Sequence, residues 1–350
     1  MKKNYPEITK LRGFAILMVL LYHSIIVYPI DLRAIGWCAN LADVLWHIEM
    51  PLFFLVSGFC FSYEGKYSSY IVKKVKRILI PHLVFGIVDL LFRVLPQYVP
   101  FMSKLVNKEA DVIDGAKDFL LYASIDPFLR SLFIMFLVFP IVSRLINKGK
   151  IYKYLVCAGA LLLYVFCDNI TNIMALSYFA RFFVFFLVGH VIRENGYEKV
   201  KTILLRPLII LSGMVLSVLS FVCFLLPGMK TVREISGIES MLILIAALSG
   251  ALVIYAVANM PMGIVDRFVN MAGNYSLQLY LLGGYVLVLS RVIVVTYMKI
   301  TLPVPVILLN FIIDVSVMYV LIHFIIRKVS LFCFLTGLTY KKKSKTERIS

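Results

Sequence analysis

An arginine and a histidine lie eleven residues apart in the first apolar segment, LRGFAILMVLLYHSIIVYP (11–29). A helix turns about 100° and rises about 1.5 Å per residue, so Arg12 and His23 share one face and lie about 16 Å apart along the axis. Imidazole titrates near neutral pH and is the commonest general base in enzymes. We therefore interpret His23 as a proton-handling group. A structural hydrogen bond for His23, and a role for Arg12 as a charge anchor, remain alternatives.

Further ionisable side chains are expected at the depth of His23. The second apolar segment, 42–63, contains Glu49, and counting from the segment ends puts Asp89, Arg130 and Arg181 in the same layer. A charge inside a bilayer costs at least about 2.5–3.5 kcal/mol, so such groups usually pair in a polar interior. Glu49 is the candidate partner of the His23 imidazole. A helix-start role for Glu49 and simple charge balance for the two arginines stay open.

The remaining histidines, and a cluster of basic residues at 73–77, have simpler explanations. His47, His82, His190 and His323 lie near the ends of apolar segments, where interfacial positions explain them. The run YSSYIVKKVKRILIPHLV (67–84) places Lys74 and Arg77 directly before an apolar segment. Such a cluster anchors topology, and it also suits the phosphates of an anionic ligand at a membrane surface.

The composition predicts the elements that must position these residues. Of 350 residues, 61% are hydrophobic and 16% are charged, which is typical of membrane proteins. At about 20 apolar residues per crossing, we predict an all-α polytopic membrane bundle of about ten transmembrane helices. The predicted spans are 10–29, 42–63, 78–96, 119–142, 151–169, 173–192, 205–226, 238–259, 275–297 and 303–326.

The loop charges predict the orientation of the bundle. Lysines and arginines number 25 on the side of the N-terminus and seven on the opposite side. Positive charge favours the cytoplasmic side, so both termini are expected in the cytoplasm, with a solvated tail over about 328–350. The whole chain, 1–350, is expected to form one domain. The first apolar run is too long for a cleaved signal peptide and is expected to remain as a helix.

Other classes of site find little support in the sequence. The net charge of +17 is divided among short loop clusters, which argues against a nucleic-acid surface. The six cysteines have no metal-binding spacing, so no metal is expected. We interpret them as small apolar side chains, with a pairing of Cys38 and Cys167 left open.

Five segments in order resemble the acyltransferase 3 family of integral membrane acyltransferases. They are Arg12 with His23, MPLFFLVSGF (50–59), Lys74-x-x-Arg77 leading to Pro81, YFARFFVFFLVGHVIR (178–193) and GNYSLQLYLL (273–282). The similarity covers nearly the whole chain. Two departures stand out: Lys74 replaces the usual first arginine of its pair, and Gly283-Gly284 follows the last segment where many members have histidine.

The resemblance implies transfer of an acyl group, usually acetyl from acetyl-CoA, to a hydroxyl of a cell-envelope glycan or related acceptor. Carried over, Arg12 and His23 are the catalytic motif and Lys74 with Arg77 the basic pair. We assign His23 as general base or acyl relay, Glu49 as its orienting carboxylate, and Arg12, Lys74 and Arg77 to the donor phosphates. Arg181 is expected at the donor, its carbonyl oxygen or the acceptor.

The expected partners are therefore acyl-CoA, a glycan acceptor and the bilayer of the cell membrane, without nucleic acid. A secondary transporter or flippase for a glycan or anionic solute is the alternative, because buried His, Glu and Arg also line transport paths. A membrane sensor or scaffold is a third hypothesis. The sequence does not name the acceptor or the oligomeric state.

Overall fold

A computed structural model describes residues 5–98, 111–122, 127–226 and 237–340, and within these ranges the chain is helical with no strand. Four basic residues that the topology prediction assigned to opposite-side loops lie outside the described residues: Lys104, Lys108, Lys230 and Arg233. The last ten residues of the predicted tail also lie outside them. The all-α prediction is confirmed for the part of the chain that is described.

Fourteen helices, numbered in chain order, carry the fold across the described ranges. They are α1 Pro6–Ile26, α2 Gly36–Phe59, α3 Tyr67–Gln97, α4 Val112–Lys117, α5 Pro127–Ile146, α6 Lys150–Val165, α7 Leu176–Glu194, α8 Tyr197–Leu204, α9 Pro207–Leu225, α10 Ile238–Ala258, α11 Ile264–Asn274, α12 Ser276–Val292, α13 Pro303–Val320 and α14 Ser330–Leu335. Wider π turns occur at 75–79 inside α3 and at 118–122, 293–297 and 321–325.

Eight helices of the described chain are long and apolar enough to cross a membrane. They are α1, α2, α3, α5, α7, α10, and α12 and α13 with their following turns. Helices α8 and α9 together pass the same test but are bent by 69° between Leu204 and Pro207. Helix α6, at the fifth predicted span, has 16 residues and is shorter than the others. These helices establish a polytopic bundle, and ten crossings remain a prediction.

Several boundaries differ from the predicted ones for local reasons. The span predicted at 119–142 begins at Pro127, because proline at the first helical position has no amide hydrogen to leave unpaired. The span predicted at 151–169 ends at Val165, before the turns at 167–175. Cys38 and Cys167 are both free and buried, so the structure does not pair them.

Helices α2 and α7 form the closest contact of the core. A Cβ on Gly58 would lie 1.9 Å from the Phe186 carbonyl oxygen, and one on Gly189 would lie 1.9 Å from the Leu55 oxygen. Only glycine permits this approach, as in other tightly packed membrane helices. The Phe54 and Phe182 rings stack beside it with centroids 4.6 Å apart.

The helix directions place the basic segments at one end of the bundle. Helix α1 is antiparallel to α2, because Tyr5 contacts Phe59 and Tyr22 contacts Trp46, with ring centroids 5.4 and 5.5 Å apart. Helix α7 is parallel to α2, and Arg193 near its end bonds to the Phe59 carbonyl. We call the end where α1 begins and α2 and α7 finish the basic end. The structure thus brings together segments that the loop charges assigned to one side.

Candidate functional site

The end of α2 and the residues that follow it, 59–63, are surrounded by arginines from different helices. Arg12 of α1 donates from Nη2 to the Cys60 Sγ at 3.4 Å. Arg77 of α3 is close enough to Arg12 for their like charges to interact, and it also interacts with Cys60. The structure thus brings together two of the three residues predicted to bind donor phosphates.

Two further arginines contact the same segment. Arg193 donates to the carbonyl oxygens of Phe59 and Phe61, each at 3.0 Å, and so satisfies acceptors that the end of α2 leaves open. Arg144 of α5 donates to the Tyr63 hydroxyl at 3.4 Å. Sequence reasoning treated both arginines only as topology anchors. Both arginines lie at span ends on the same side as Arg12 and Arg77. That position could have indicated that they belong to the same site.

We call Arg12, Arg77, Arg144 and Arg193 the arginine cluster. Within the described residues, no member forms an ion pair with a carboxylate. The hydrogen-bond acceptors around them are neutral: a thiol, two carbonyls and a phenol. Arg77 and Arg144 are exposed, and Arg12 and Arg193 are half-buried. Four like charges without acidic partners form a strongly favourable place for a polyanion.

Lys74, the third predicted donor residue, is placed differently. Its ammonium lies 3.5 Å from the Phe136 ring centroid and 5.3 Å from that of Tyr70. Such cation–π contacts hold a lysine against the bundle while its charge remains near the basic end. The structure therefore places Lys74 beside the arginine cluster, on a neighbouring aromatic surface.

His23 lies in the last turn of α1, away from the basic end. Its imidazole is partly exposed and packs edge to face on Tyr22, with centroids 5.2 Å apart. Among the described residues, its ring nitrogens have no hydrogen-bond partner. The ring is therefore available to a ligand rather than committed to a structural bond.

Glu49 is fully buried in α2, and neither carboxylate oxygen has a hydrogen-bond partner among the described residues. No hydrogen bond or ion pair joins it to His23. A carboxylate buried without a partner is costly, and such groups concentrate at functional sites. The role of Glu49 beside the imidazole remains a prediction.

The other members of the expected ionisable layer have polar partners. Arg93 pairs with Asp89 at 2.9 Å along α3, and Arg181 pairs with Asp168. The guanidinium of Arg130 bonds to His82, with Nη2 3.3 Å from Nε2. Each of the three arginines thus has at least one polar partner in the described chain.

Two histidines expected at interfaces are buried instead. His82 is 2% exposed and is held by Arg130, which also donates to the Phe119 and Leu120 carbonyls. His190 is 4% exposed, and neither ring nitrogen has a partner among the described residues. Nearness to a span end did not predict exposure, because neighbouring helices cover both rings.

A second buried carboxylate, which sequence reasoning missed, belongs to Asp314 of α13. Asp314 is 0% exposed, and its oxygens have no partner among the described residues. A Cβ on Gly283 would lie 3.6 Å from the Asp314 Oδ2 and 2.6 Å from the Leu20 side chain. Asp314 thus lies beside Gly283 of α12, which packs against Leu20 of α1.

Arg291 fixes the end of α1. It is 0% exposed and donates to the Ser24 carbonyl and, at 3.0 Å, to the Ile30 carbonyl. The last carbonyls of a helix lack partners inside the helix, so this guanidinium stabilises the turn that carries His23. Arg291 therefore helps to hold the last turn of α1 in place.

Arg181 lies near the opposite end of α7 from Arg193, far from the arginine cluster. With Asp168, His47, Tyr164, Glu239 and Ser240 it lines a cavity of 220 Å³. The structure therefore does not bring Arg181 together with Arg12, Lys74 and Arg77. Its assignment to the donor remains a prediction that no contact supports.

Comparison with known proteins agrees with the architecture. The model of the acyltransferase 3 family, described as an acyltransferase domain, matches residues 5–323, nearly the whole chain. No curated protein and no solved structure matches the chain significantly. A polytopic helical bundle, apolar spans and this match lead to one conclusion: the chain belongs to the acyltransferase 3 family and is a multi-pass membrane acyltransferase.

Proposed function

We propose that this acyltransferase transfers an acetyl group from acetyl-CoA to a hydroxyl of a cell-envelope glycan in the cell membrane. The observation that carries the proposal is the arginine cluster, whose four cations have no carboxylate partner in the described chain. Coenzyme A has three phosphate groups, and guanidinium binds phosphate through paired, charge-assisted hydrogen bonds. The donor then enters from the basic end, which we assign to the cytoplasm.

The residues assigned to the donor phosphates and the residue assigned to the reaction lie at different ends of α1. The thioester of acetyl-CoA lies at the tip of a long pantetheine arm, remote from the phosphates. Arg12 and His23 are about 16 Å apart along one face of α1. We assign the phosphates to the arginine cluster and Lys74, and the thioester to the half of the bundle that contains His23.

His23 then acts on the acceptor hydroxyl. As general base it removes the hydroxyl proton while the oxygen attacks the thioester carbonyl, the carbon–sulfur bond breaks, and the coenzyme A thiolate leaves and is reprotonated. As acyl relay, a ring nitrogen first attacks the thioester carbonyl, and the carbon–sulfur bond breaks with release of the coenzyme A thiolate. The acceptor hydroxyl oxygen then attacks the acetyl carbonyl, the carbon–nitrogen bond breaks, and the hydroxyl proton is transferred to the thiolate or to solvent. Glu49 balances the charge of the protonated ring in either case. Arg291 holds the turn on which His23 is carried.

The test uses membranes from cells with and without the intact gene and [¹⁴C]acetyl-CoA. We expect label in the envelope glycan fraction only when the gene is intact, and mass spectrometry then shows an O-acetyl group on a sugar. Movement of a glycan across the membrane without gain of label would instead support the transporter hypothesis.

Donor binding has its own readout in Cys60, which is exposed and contacts Arg12. In a variant with Cys157 and Cys223 replaced by serine, we expect desulfo-coenzyme A, which keeps the phosphates but has no thiol to consume the reagent, to slow maleimide labelling of Cys60. Panthenol, which has neither phosphates nor a thiol, should not protect. Equal labelling with and without desulfo-coenzyme A would remove the donor site from the arginine cluster.

A further inference from the structure

The cavity around Arg181 is a second polar site, at the end of the bundle away from the arginine cluster. It lies between α2, α7, the end of α6 and the start of α10. Its 220 Å³ is smaller than the ~300–1,000 Å³ of clefts that hold drug-sized ligands. The space suits one small ring rather than a nucleotide or a lipid.

The cavity lining carries one guanidinium, from Arg181, and two carboxylates, from Asp168 and Glu239. Arg181 is paired with Asp168. His47 lies within electrostatic range of both Arg181 and Glu239. An anionic ligand would be repelled by the carboxylates and a cationic one by the guanidinium, whereas a neutral ligand avoids both repulsions.

The same lining offers both kinds of hydrogen-bonding group. Arg181 supplies donors, Asp168 and Glu239 supply acceptors, and the Ser240 hydroxyl serves as either. The Tyr164 side chain adds an aromatic wall. A ring with several hydroxyl groups needs donors and acceptors together with an apolar face, so this combination matches a neutral sugar.

We propose that this cavity binds one neutral pyranose ring of the glycan acceptor. The proposal rests on the proposed function and names a subsite for its acceptor. Helix α2 separates the cavity from α1, since Trp46 contacts Tyr22 of α1 while the adjacent His47 lines the cavity. The ring bound here is therefore a neighbour of the sugar that receives the acetyl group.

Direct binding tests the cavity without any transfer reaction. Purified protein in detergent is examined by saturation-transfer NMR with methyl α-D-glucopyranoside, methyl β-D-galactopyranoside and methyl N-acetyl-β-D-glucosaminide. Ser240→Phe fills the cavity, and Ser212→Phe makes the same change at an exposed position on α9. We expect a signal from at least one glycoside with wild type and Ser212→Phe and its loss in Ser240→Phe. No signal with wild type, or an equal signal in Ser240→Phe, would overturn the proposal.

Kinetics with the isolated envelope glycan fraction then connect the cavity to the reaction. We expect Ser240→Phe to raise the acceptor KM about tenfold with little change in kcat, the pattern of lost substrate binding. In Ser240→Phe, the protection of Cys60 by desulfo-coenzyme A should be the same as in the protein without this substitution. Glycoside binding without acetyl transfer in wild type would separate the two proposals, leaving the sugar site standing and the proposed function refuted.

Discussion

The arginines in the two halves of the bundle have different surroundings. At the basic end, the arginine cluster donates hydrogen bonds only to neutral groups within the described residues, and two of its members are exposed. In the other half, Arg33, Arg93 and Arg181 are each paired with an aspartate. Arg291 there is fully buried and bonded to two carbonyls.

This difference distinguishes arginines that stabilise the fold from arginines that are available to bind an anionic ligand. The charge of a paired arginine is already balanced by a nearby carboxylate. Replacing that arginine is therefore expected to change mainly the stability of the protein. A cluster of unpaired arginines repels itself, and an anionic ligand relieves that repulsion. Variants at the two kinds of arginine, and at His23, therefore separate binding, chemistry and stability.

The largest effect is expected for His23→Ala, which removes the group that links donor to acceptor. We expect acetyl transfer to fall by about 10²–10⁴, the usual contribution of general-base catalysis. His323→Ala is the matched control, because that ring is exposed and stacks on Tyr319. Labelled transfer in membranes measures both, and Cys60 protection should remain in each. Full activity of folded His23→Ala would refute the assignment.

Arg291→Gln is expected to have the next largest effect, on stability and on the placement of His23. Losing charged hydrogen bonds to two carbonyls costs about 3–6 kcal/mol, since such bonds contribute about 1.5–3 kcal/mol each. A lower unfolding temperature in detergent and a lower kcat with unchanged donor KM are expected, and Arg291→Lys should restore part of both. Arg33→Gln, which breaks an exposed pair outside the spans, should cost only about 0.2–1 kcal/mol. Equal losses in Arg291→Gln and Arg33→Gln would contradict the positioning role.

Arg77→Ala and Arg144→Ala are expected to weaken donor binding without unfolding the protein. Each loses a phosphate contact worth about 1.4 kcal/mol, or tenfold in the KM for acetyl-CoA. The effect should shrink as salt is raised, because screening weakens the contact in wild type. Arg33→Ala is the control, since Arg33 is paired with Asp31. A wild-type donor KM in Arg144→Ala would remove that residue from the donor site.

The smallest effect is expected for the exposed pair of Asp31 and Arg33, outside the spans. Hydrogen bonds from Arg33 hold the pKa of the Asp31 carboxyl below its ordinary value. The stabilisation is then present above the unfolded pKa and is lost as pH falls through the folded pKa. Exposed pairs contribute about 0.2–1 kcal/mol, so Asp31→Asn should lower the unfolding temperature by a few degrees at most near pH 7. The difference from wild type should vanish at low pH, and its persistence there would contradict an ionic origin.

Part of the site could be predicted from the sequence and part could not. Helical periodicity put Arg12 and His23 on one face, and apolar length predicted most spans within a few residues. Arg144 and Arg193 were recognisable as basic span ends, but their meeting at residues 59–63 depends on how α5 and α7 pack beside α2. Asp314 and His82 gave no signal, since a single polar residue in an apolar run shows neither its depth nor its partners.

The sequence by itself determined that this chain is a helical membrane protein, which end of the bundle is basic, and that it resembles a family of acyltransferases. Those properties follow from composition, from the length of the apolar segments and from local motifs, none of which depends on contacts between distant parts of the chain. Only the tertiary structure decided which arginines are paired, that Arg181 lies apart from the other predicted donor residues, and that Glu49 and Asp314 are fully buried. Contacts between helices far apart in sequence depend on packing geometry and on glycines such as Gly58 and Gly283, which set how closely two helices approach.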